Sequence, residues 1–280
     1  MNFGLQENIV VCYYLDLAGE SDNRRKYMRK LFAGLLLSIL ISSTCYAGQD
    51  ITVSAAISLK NAFEDIGKIY EAKNKGVKVN FNFGASGDLM RQIEGGAPVD
   101  IFASAALKDM DDADNKGLLK SGSRVNFASN SVVLIGSANS VVQLNTFDDL
   151  KKANMQKIAI GNPKTVPAGR YAAEVFEYFK MHESLKEKLI FAENVRQVLD
   201  YVSRGEVDAG LAYLSDALLR AKEVKIVATA PEDSHKPVIY PIAVVKTTKS
   251  ENLAKEFISL VLSDEGKAAL KKYGFGASTK

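Results

Sequence analysis

Residues 77–93 read Val-Lys-Val-Asn-Phe-Asn-Phe-Gly-Ala-Ser-Gly-Asp-Leu-Met-Arg-Gln-Ile. Val77, Val79, Phe81 and Phe83 alternate with polar residues, the period of a strand. From Ser86 the period changes, because Leu89, Met90 and Ile93 fall on one helical face, and Gly95-Gly96 ends that helix. Between strand and helix lies Gly84-Ala85-Ser86-Gly87. A helix start leaves backbone N–H groups without internal partners, and the aligned peptide dipoles add partial positive charge there. Such a start holds an anion without any lysine or arginine. Glycine on either side of Ser86 lets a ligand approach the backbone closely.

The same join recurs along the chain. The run 51–56 reads as a strand and 58–73 as a helix, with Ser58 at its start and Leu59, Ala62, Phe63, Ile66, Ile69 and Tyr70 on one face. Val166-Pro167-Ala168 opens a helix running to about Lys180, with proline where the first turn welcomes it. Val195 sits in the first turn of a helix over 194–203, which Gly205 stops. Tyr213 ends a strand over 207–213, just before a helix over 215–221. Further strands are expected over 99–103, 131–135, 157–160, 224–228 and 238–245, the last containing Pro241. Further helices are expected over 107–116, 251–262 and 264–273, and Thr146 with Asp149 resembles a capping box.

Alternating strands and helices predict an α/β protein with mostly parallel sheets. Open sheets of that kind place ligands outside the carboxyl ends of their strands. Crossings near Asn130 and Tyr240 would divide the chain into lobe one, 48–128 plus 241–280, and lobe two, 129–240. Two crossings permit hinge closure over a ligand between lobes. Taken singly, a serine at a helix start is more often a plain N-cap than a ligand contact.

The amino-terminal 47 residues read differently. Met28-Arg29-Lys30 is basic, 31–41 is apolar, and Ser42-Ser43-Thr44-Cys45-Tyr46-Ala47 is small and polar. That order is the layout of a secretory signal peptide, with Ala47 as the expected cleavage residue and Gly48 as the new start. The charged stretch 1–27 ahead of it suggests that translation begins at Met28. Lipid attachment at Cys45 is the weaker alternative, because Ser42-Ser43-Thr44 resembles a lipoprotein signal poorly.

The 280-residue chain carries a formal charge of +3. Five Lys/Arg and four Asp/Glu lie in 1–47, so the remainder carries +2, with both signs interspersed. That balance gives no basic footprint for nucleic acid. Nothing after residue 47 is long and apolar enough to span a bilayer. Both cysteines, Cys12 and Cys45, precede Gly48, so no disulfide or thiol chemistry is expected beyond it. A segment of this length buries enough core to do without one. The only histidines are His182 and His235, with no nucleophile motif, P-loop, dinucleotide fingerprint or metal-ligand spacing around them. An enzyme and a direct metal site are both disfavoured.

Several stretches, in order, closely resemble the periplasmic molybdate-binding proteins of ABC importers, within the type II periplasmic binding protein superfamily. They are Ala55-Ala56-Ile57-Ser58-Leu59; Phe83-Gly84-Ala85-Ser86-Gly87-Asp88-Leu89 leading into Arg91-Gln92-Ile93-Glu94; and Gly96-Ala97-Pro98-Val99-Asp100-Ile101-Phe102-Ala103-Ser104-Ala105. They continue with Gly161-Asn162-Pro163 and Val166-Pro167-Ala168-Gly169, Glu193-Asn194-Val195-Arg196, and Tyr213 with Ser215-Asp216-Ala217. Pro231-Glu232-Asp233-Ser234-His235-Lys236 and Tyr273-Gly274-Phe275 complete the set.

The resemblance implies a two-lobed fold with the ligand in the cleft. It implies capture of molybdate, and tungstate with it, for delivery to an inner-membrane ABC permease by a periplasmic monomer with no cofactor. It assigns the oxyanion to Ser58 and Ser86 (hydroxyl and backbone N–H each), Ala168 and Val195 (backbone N–H), and Tyr213 (phenol). Molybdenum would be present only inside the oxyanion, without protein ligands. Departures from the family pattern are Ile57, where a small residue is common, and Gly87, where serine is common. A cavity made of donors suits a fully deprotonated dianion and disfavours hydrogen phosphate, whose O–H needs an acceptor. Sulfate is excluded only by size. The alternative is another oxyanion such as sulfate, or an organic anion held by Arg91, Arg170 or Arg196.

Overall fold

The computed structural model describes residues 49–152 and 154–278. The expected leader, with Met28 and Cys45, lies outside them. Eleven strands and nine α-helices are described. The strands are β1 (Gln49–Ala56), β2 (Val77–Gly84), β3 (Ile101–Ala103), β4 (Val125–Ser129), β5 (Val132–Ser137), β6 (Ile158–Gly161), β7 (Leu189–Ala192), β8 (Ala209–Tyr213), β9 (Val224–Thr229), β10 (Ile239–Val244) and β11 (Gly276–Ala277). The helices are α1 (Lys60–Lys73), α2 (Ser86–Glu94), α3 (Leu107–Asn115), α4 (Pro167–Tyr178), α5 (His182–Leu185), α6 (Val195–Ser203), α7 (Leu214–Leu219), α8 (Glu251–Leu262) and α9 (Asp264–Lys272).

Two sheets organise the chain. The first has six strands in the order β11-β4-β10-β3-β1-β2, and the second five in the order β7-β6-β8-β5-β9. The chain leaves the first sheet after Ser129, enters the second at Val132, leaves it after Thr229 and returns at Ile239. Both sheets carry helices, which bury their apolar stripes as the spacing predicts. In α1 the buried residues are Ala62, Phe63, Ile66, Gly67 and Tyr70, whereas Ile69 is half-buried. Phe63 lies 5.7 Å from Phe127 and 6.0 Å from Phe257, ring centre to ring centre. Each such side chain removed from water contributes roughly 1.5–3 kcal/mol before the entropy of ordering it.

Four of the six strands of the first sheet and four of the five of the second run in one direction, as expected, but both sheets are mixed. β1 pairs in parallel with β2 and β3, and β6 with β7 and β8. β10 is antiparallel to both β3 and β4, and β5 to both β8 and β9. β5 and β10 are the strands by which the chain enters each sheet after a crossing. β10 starts beside the end of β4 and β5 beside the end of β8, so each runs opposite to that neighbour. Pro241 fits inside β10 because the register shifts between Tyr240 and Pro241, a bulge that spares the missing N–H. Its carbonyl still accepts from the Ser104 N–H at 2.9 Å.

Local starts and stops follow their chemistry. Asn194 caps α6 by accepting from the Gln197 N–H at 3.1 Å. Thr146 and Asp149 form the capping box, on a 3-10 turn over Phe147–Lys151. The first turn of α4 lies directly on the end of β6: a Cβ at Gly169 would stand 1.9 Å from the Gly161 carbonyl oxygen. Only glycine permits that approach.

Candidate binding site

The carboxyl ends of β1, β2, β3 and β8 and the loop after β6 open onto one cavity. Ser58, Ser86, Ala168, Val195 and Tyr213 all line it, with Ile57 and Ala105 beside them. Its volume is about 10 Å³. Pockets for drug-sized ligands run from roughly 300 to 1,000 Å³, so this one suits a small ion. All five residues are buried, from 0 % exposure at Ser86 to 3 % at Ser58 and Val195.

Four of the five reach the cavity at the start of a turn of helix. Ser86 is the first residue of α2, Ala168 the second of α4, and Val195 the first of α6. Their N–H groups have no intrahelical partner and point along the positive end of the dipole. Ser58 differs from expectation. It lies in a separate 3-10 turn, Ile57–Leu59, and the α-helix begins only at Lys60. Tyr213 ends β8 and immediately precedes α7.

The Tyr213 ring is wedged between two others, 6.4 Å from Tyr171 and 5.9 Å from Tyr240. Burial pushes its phenol well above the usual value, so it stays protonated and serves as a donor. It donates to the Ala105 carbonyl at a long 3.4 Å. The Ala105 N–H in turn donates to Ser86 Oγ at 3.0 Å. Ala105 lies just past β3, and the rule placing ligands at strand ends points to it as well. Asn130 and Tyr240 stand one layer behind the cavity wall. Tyr240 Oη is 3.1 Å from Ser58 Oγ, and Asn130 Nδ2 donates to Tyr240 Oη at 3.3 Å.

Elements of the two sheets meet around the cavity. The Gly87 N–H donates to the Thr165 carbonyl at 3.0 Å. Arg170 on α4 pairs with Asp109 on α3, whose side chain is 4 % exposed. Burial pushes the Asp109 carboxyl up, and Arg170 opposes that shift. Arg196 on α6 donates to Asn61 Oδ1 at 3.1 Å and stands 2.5 Å from Asp216 Oδ1. That last contact is held by charge without an aligned hydrogen bond. Asp216 is fully buried, and desolvation lifts its carboxyl to about 6 against the pull of Arg196. Arg91 pairs on the surface with Asp88. Each of the three arginines flanking the cavity thus has an acidic partner.

His182 starts the short α5 and is half-buried, and His235 packs its ring 5.7 Å from that of Tyr171. Among the described residues there is no group of three His, Cys, Asp or Glu able to hold a metal ion. Among those residues no helix is long and apolar enough to cross a membrane.

A two-sheet α/β frame with a buried, donor-lined cavity and two chain crossings is the architecture of a solute-binding protein. Residues 51–276 match the model of the bacterial extracellular solute-binding protein family, and the chain belongs to that family. Within it, the chain is 40% identical over 256 residues to the molybdate-binding protein ModA of Escherichia coli K12, covering 90% of this chain and 98% of that one. It is 36% identical over 262 residues to a Bacillus subtilis protein described as a candidate ABC transporter substrate-binding lipoprotein, covering 90% and 99%. The solved periplasmic molybdate-binding protein of Azotobacter vinelandii superposes with a TM-score of 0.73 at 25% identity, covering 82% of this chain and 100% of that one.

Proposed function

We propose that this protein captures molybdate, and tungstate with it, and hands it to the membrane permease of an ABC importer. One observation carries the reading: five neutral donor residues from separate parts of the chain line one small buried cavity. Seven hydrogen bonds would reach four oxygens, from the hydroxyls and N–H groups of Ser58 and Ser86, the N–H groups of Ala168 and Val195, and the Tyr213 phenol, whose one proton would turn from the Ala105 carbonyl to the ligand. No cofactor and no direct metal ligand is needed. The organic-anion alternative loses its support, because Arg170 and Arg196 are already paired with Asp109 and Asp216. Sulfate remains the runner-up, separated by the longer bonds of molybdate and the fixed reach of the donors.

Lobes with the bounds 48–128 plus 241–280 and 129–240 would close over the ion. Export by the leader would deliver a monomer to the periplasm. The lipoprotein description of the Bacillus relative favours keeping Cys45 anchoring as a second reading.

Calorimetric titration of the purified protein with molybdate, tungstate, sulfate and phosphate tests the assignment. Ligand at 100 times its Kd adds about 2.7 kcal/mol of stability. For a domain of this size that raises Tm by roughly 5–10 °C. Molybdate should produce that shift and sulfate far less. Equal shifts from the two anions would remove the size argument.

A further inference from the structure

A cavity lined by hydroxyls is not a donor-only cavity by composition. Serine and tyrosine hydroxyls accept as readily as they donate. Which way each proton points is decided by what stands behind it.

Behind Ser58 the direction can be traced. Asn130 Oδ1 accepts the Ser131 N–H at 2.9 Å and lies 3.4 Å from the Ser215 N–H. A flipped amide would aim its NH₂ at those donors, so the orientation is fixed. Asn130 Nδ2 therefore donates, to Ser215 Oγ at 2.8 Å and to Tyr240 Oη at 3.3 Å. Tyr240 is fully buried, and its remaining near partner is Ser58 Oγ at 3.1 Å. The single phenolic proton goes there. Ser58, already receiving a hydrogen bond, turns its own proton into the cavity. Ser86 is arranged likewise, because the Ala105 N–H fills one of its lone pairs at 3.0 Å.

We infer that Asn130 and Tyr240 are positioning residues that set ligand specificity, fixing the Ser58 hydroxyl as a donor and so excluding oxyanions that carry a proton. This rests on the oxyanion reading of the cavity. A ligand O–H aimed at Ser58 would meet the serine's own proton head-on, and of the two protons in that contact one would go without an acceptor. A buried group in that state costs as much as a lost hydrogen bond or more.

The test is calorimetric, in mildly alkaline buffer, with molybdate as the unprotonated dianion and hydrogen arsenate as the protonated one. Tyr240→Phe removes the proton supplied to Ser58. Asn130→Asp keeps the Oδ1 acceptor but turns the other donor into an acceptor. The relay then reverses, and the Ser58 lone pair faces the cavity. Its added charge weakens both dianions together, so the ratio of affinities is the readout.

The preference for molybdate over hydrogen arsenate should fall about tenfold in each variant, the size of one unmade hydrogen bond. In a Ser58→Ala background, Tyr240→Phe should no longer change the ratio. If both anions weaken in equal proportion in the folded variants, the two residues are merely structural and the inference fails. Tyr240→Phe deletes a single oxygen and decides the matter alone if Asn130→Asp does not fold. If the wild-type protein binds no molybdate, the reading of the cavity fails first and takes this inference with it.

Discussion

The Gly87 N–H donates to the Thr165 carbonyl at 3.0 Å, and a Cβ at Gly87 would stand 2.7 Å from that same oxygen. The bond ties the start of α2, which carries Ser86, to the loop before α4, which carries Ala168. Its neighbours are backbone atoms, which yield less readily than a flexible side chain. The missing side chain thus lets two donor-bearing helix starts approach each other, and the serine common in the family here would hold them farther apart.

Gly87→Ala should weaken molybdate binding by about 1–3 kcal/mol, the usual cost of overpacking. The unliganded melting temperature should change little if the two segments separate when the cavity is empty. Titration and melting of the same preparation check both halves of this expectation. Unchanged affinity would mean that the close approach is not part of the bound state.

Ser86→Ala and Tyr213→Phe should each weaken molybdate binding by roughly 1.5–3 kcal/mol, because each deletes a donor to a charged acceptor. Ser86→Ala also strands the Ala105 N–H, so it should be the costlier for stability. Calorimetric affinity together with urea unfolding separates the two effects. Wild-type affinity in either variant would place the ligand elsewhere.

Breaking the Asp109–Arg170 pair from one side should be expensive. Arg170→Met leaves a carboxylate buried without its counter-charge, which costs about 3–5 kcal/mol in such pairs. The double replacement Asp109→Leu with Arg170→Met should recover most of that loss. Chemical denaturation of the single and double variants is the measurement. A double variant no more stable than the single would show that the pair contributes more than its own charge balance.

Asp216 should impose a pH dependence of a definite sign. Its folded value, about 6, lies above the ordinary 3.8. Between those limits the native state holds the proton more tightly than the unfolded chain. Stability from this group therefore falls as pH rises through about 4 to 6 and is level above. The shift corresponds to roughly 3 kcal/mol across the window. Other carboxyls titrate in the same range, so the informative quantity is the difference between the wild type and Asp216→Asn. That difference should slope across the window and flatten above it.

The strand-to-helix joins were legible because they are local. The period change at Ser86, the proline opening α4 and the Gly95-Gly96 stop each sit within a few residues of the feature they mark. Ala168 and Val195 carry no side-chain chemistry, and only the family resemblance singled them out. Tyr240 stood out in the sequence only as the place of a crossing, with nothing to mark its hydroxyl. Its role depends on partners 182 and 110 positions away, Ser58 and Asn130. β7 escaped notice because it is a four-residue edge strand behind Lys186-Glu187-Lys188. The reversed direction of β5 and β10 escaped for a different reason: alternation says which side chains face inward, but not which way a neighbour runs.

The place of β10 between β3 and β4 bears on the order in which the protein assembles. Every strand of the second sheet lies within residues 132–229, whereas the first lacks an interior strand until residue 244 has been made. A chain emerging from its amino terminus therefore has all the pieces of the later sheet before the earlier one can close. Until then β3 and β4 have no strand between them, and exposed edges invite pairing with other chains. While residues 130 to 244 are being made, those two edges lie open.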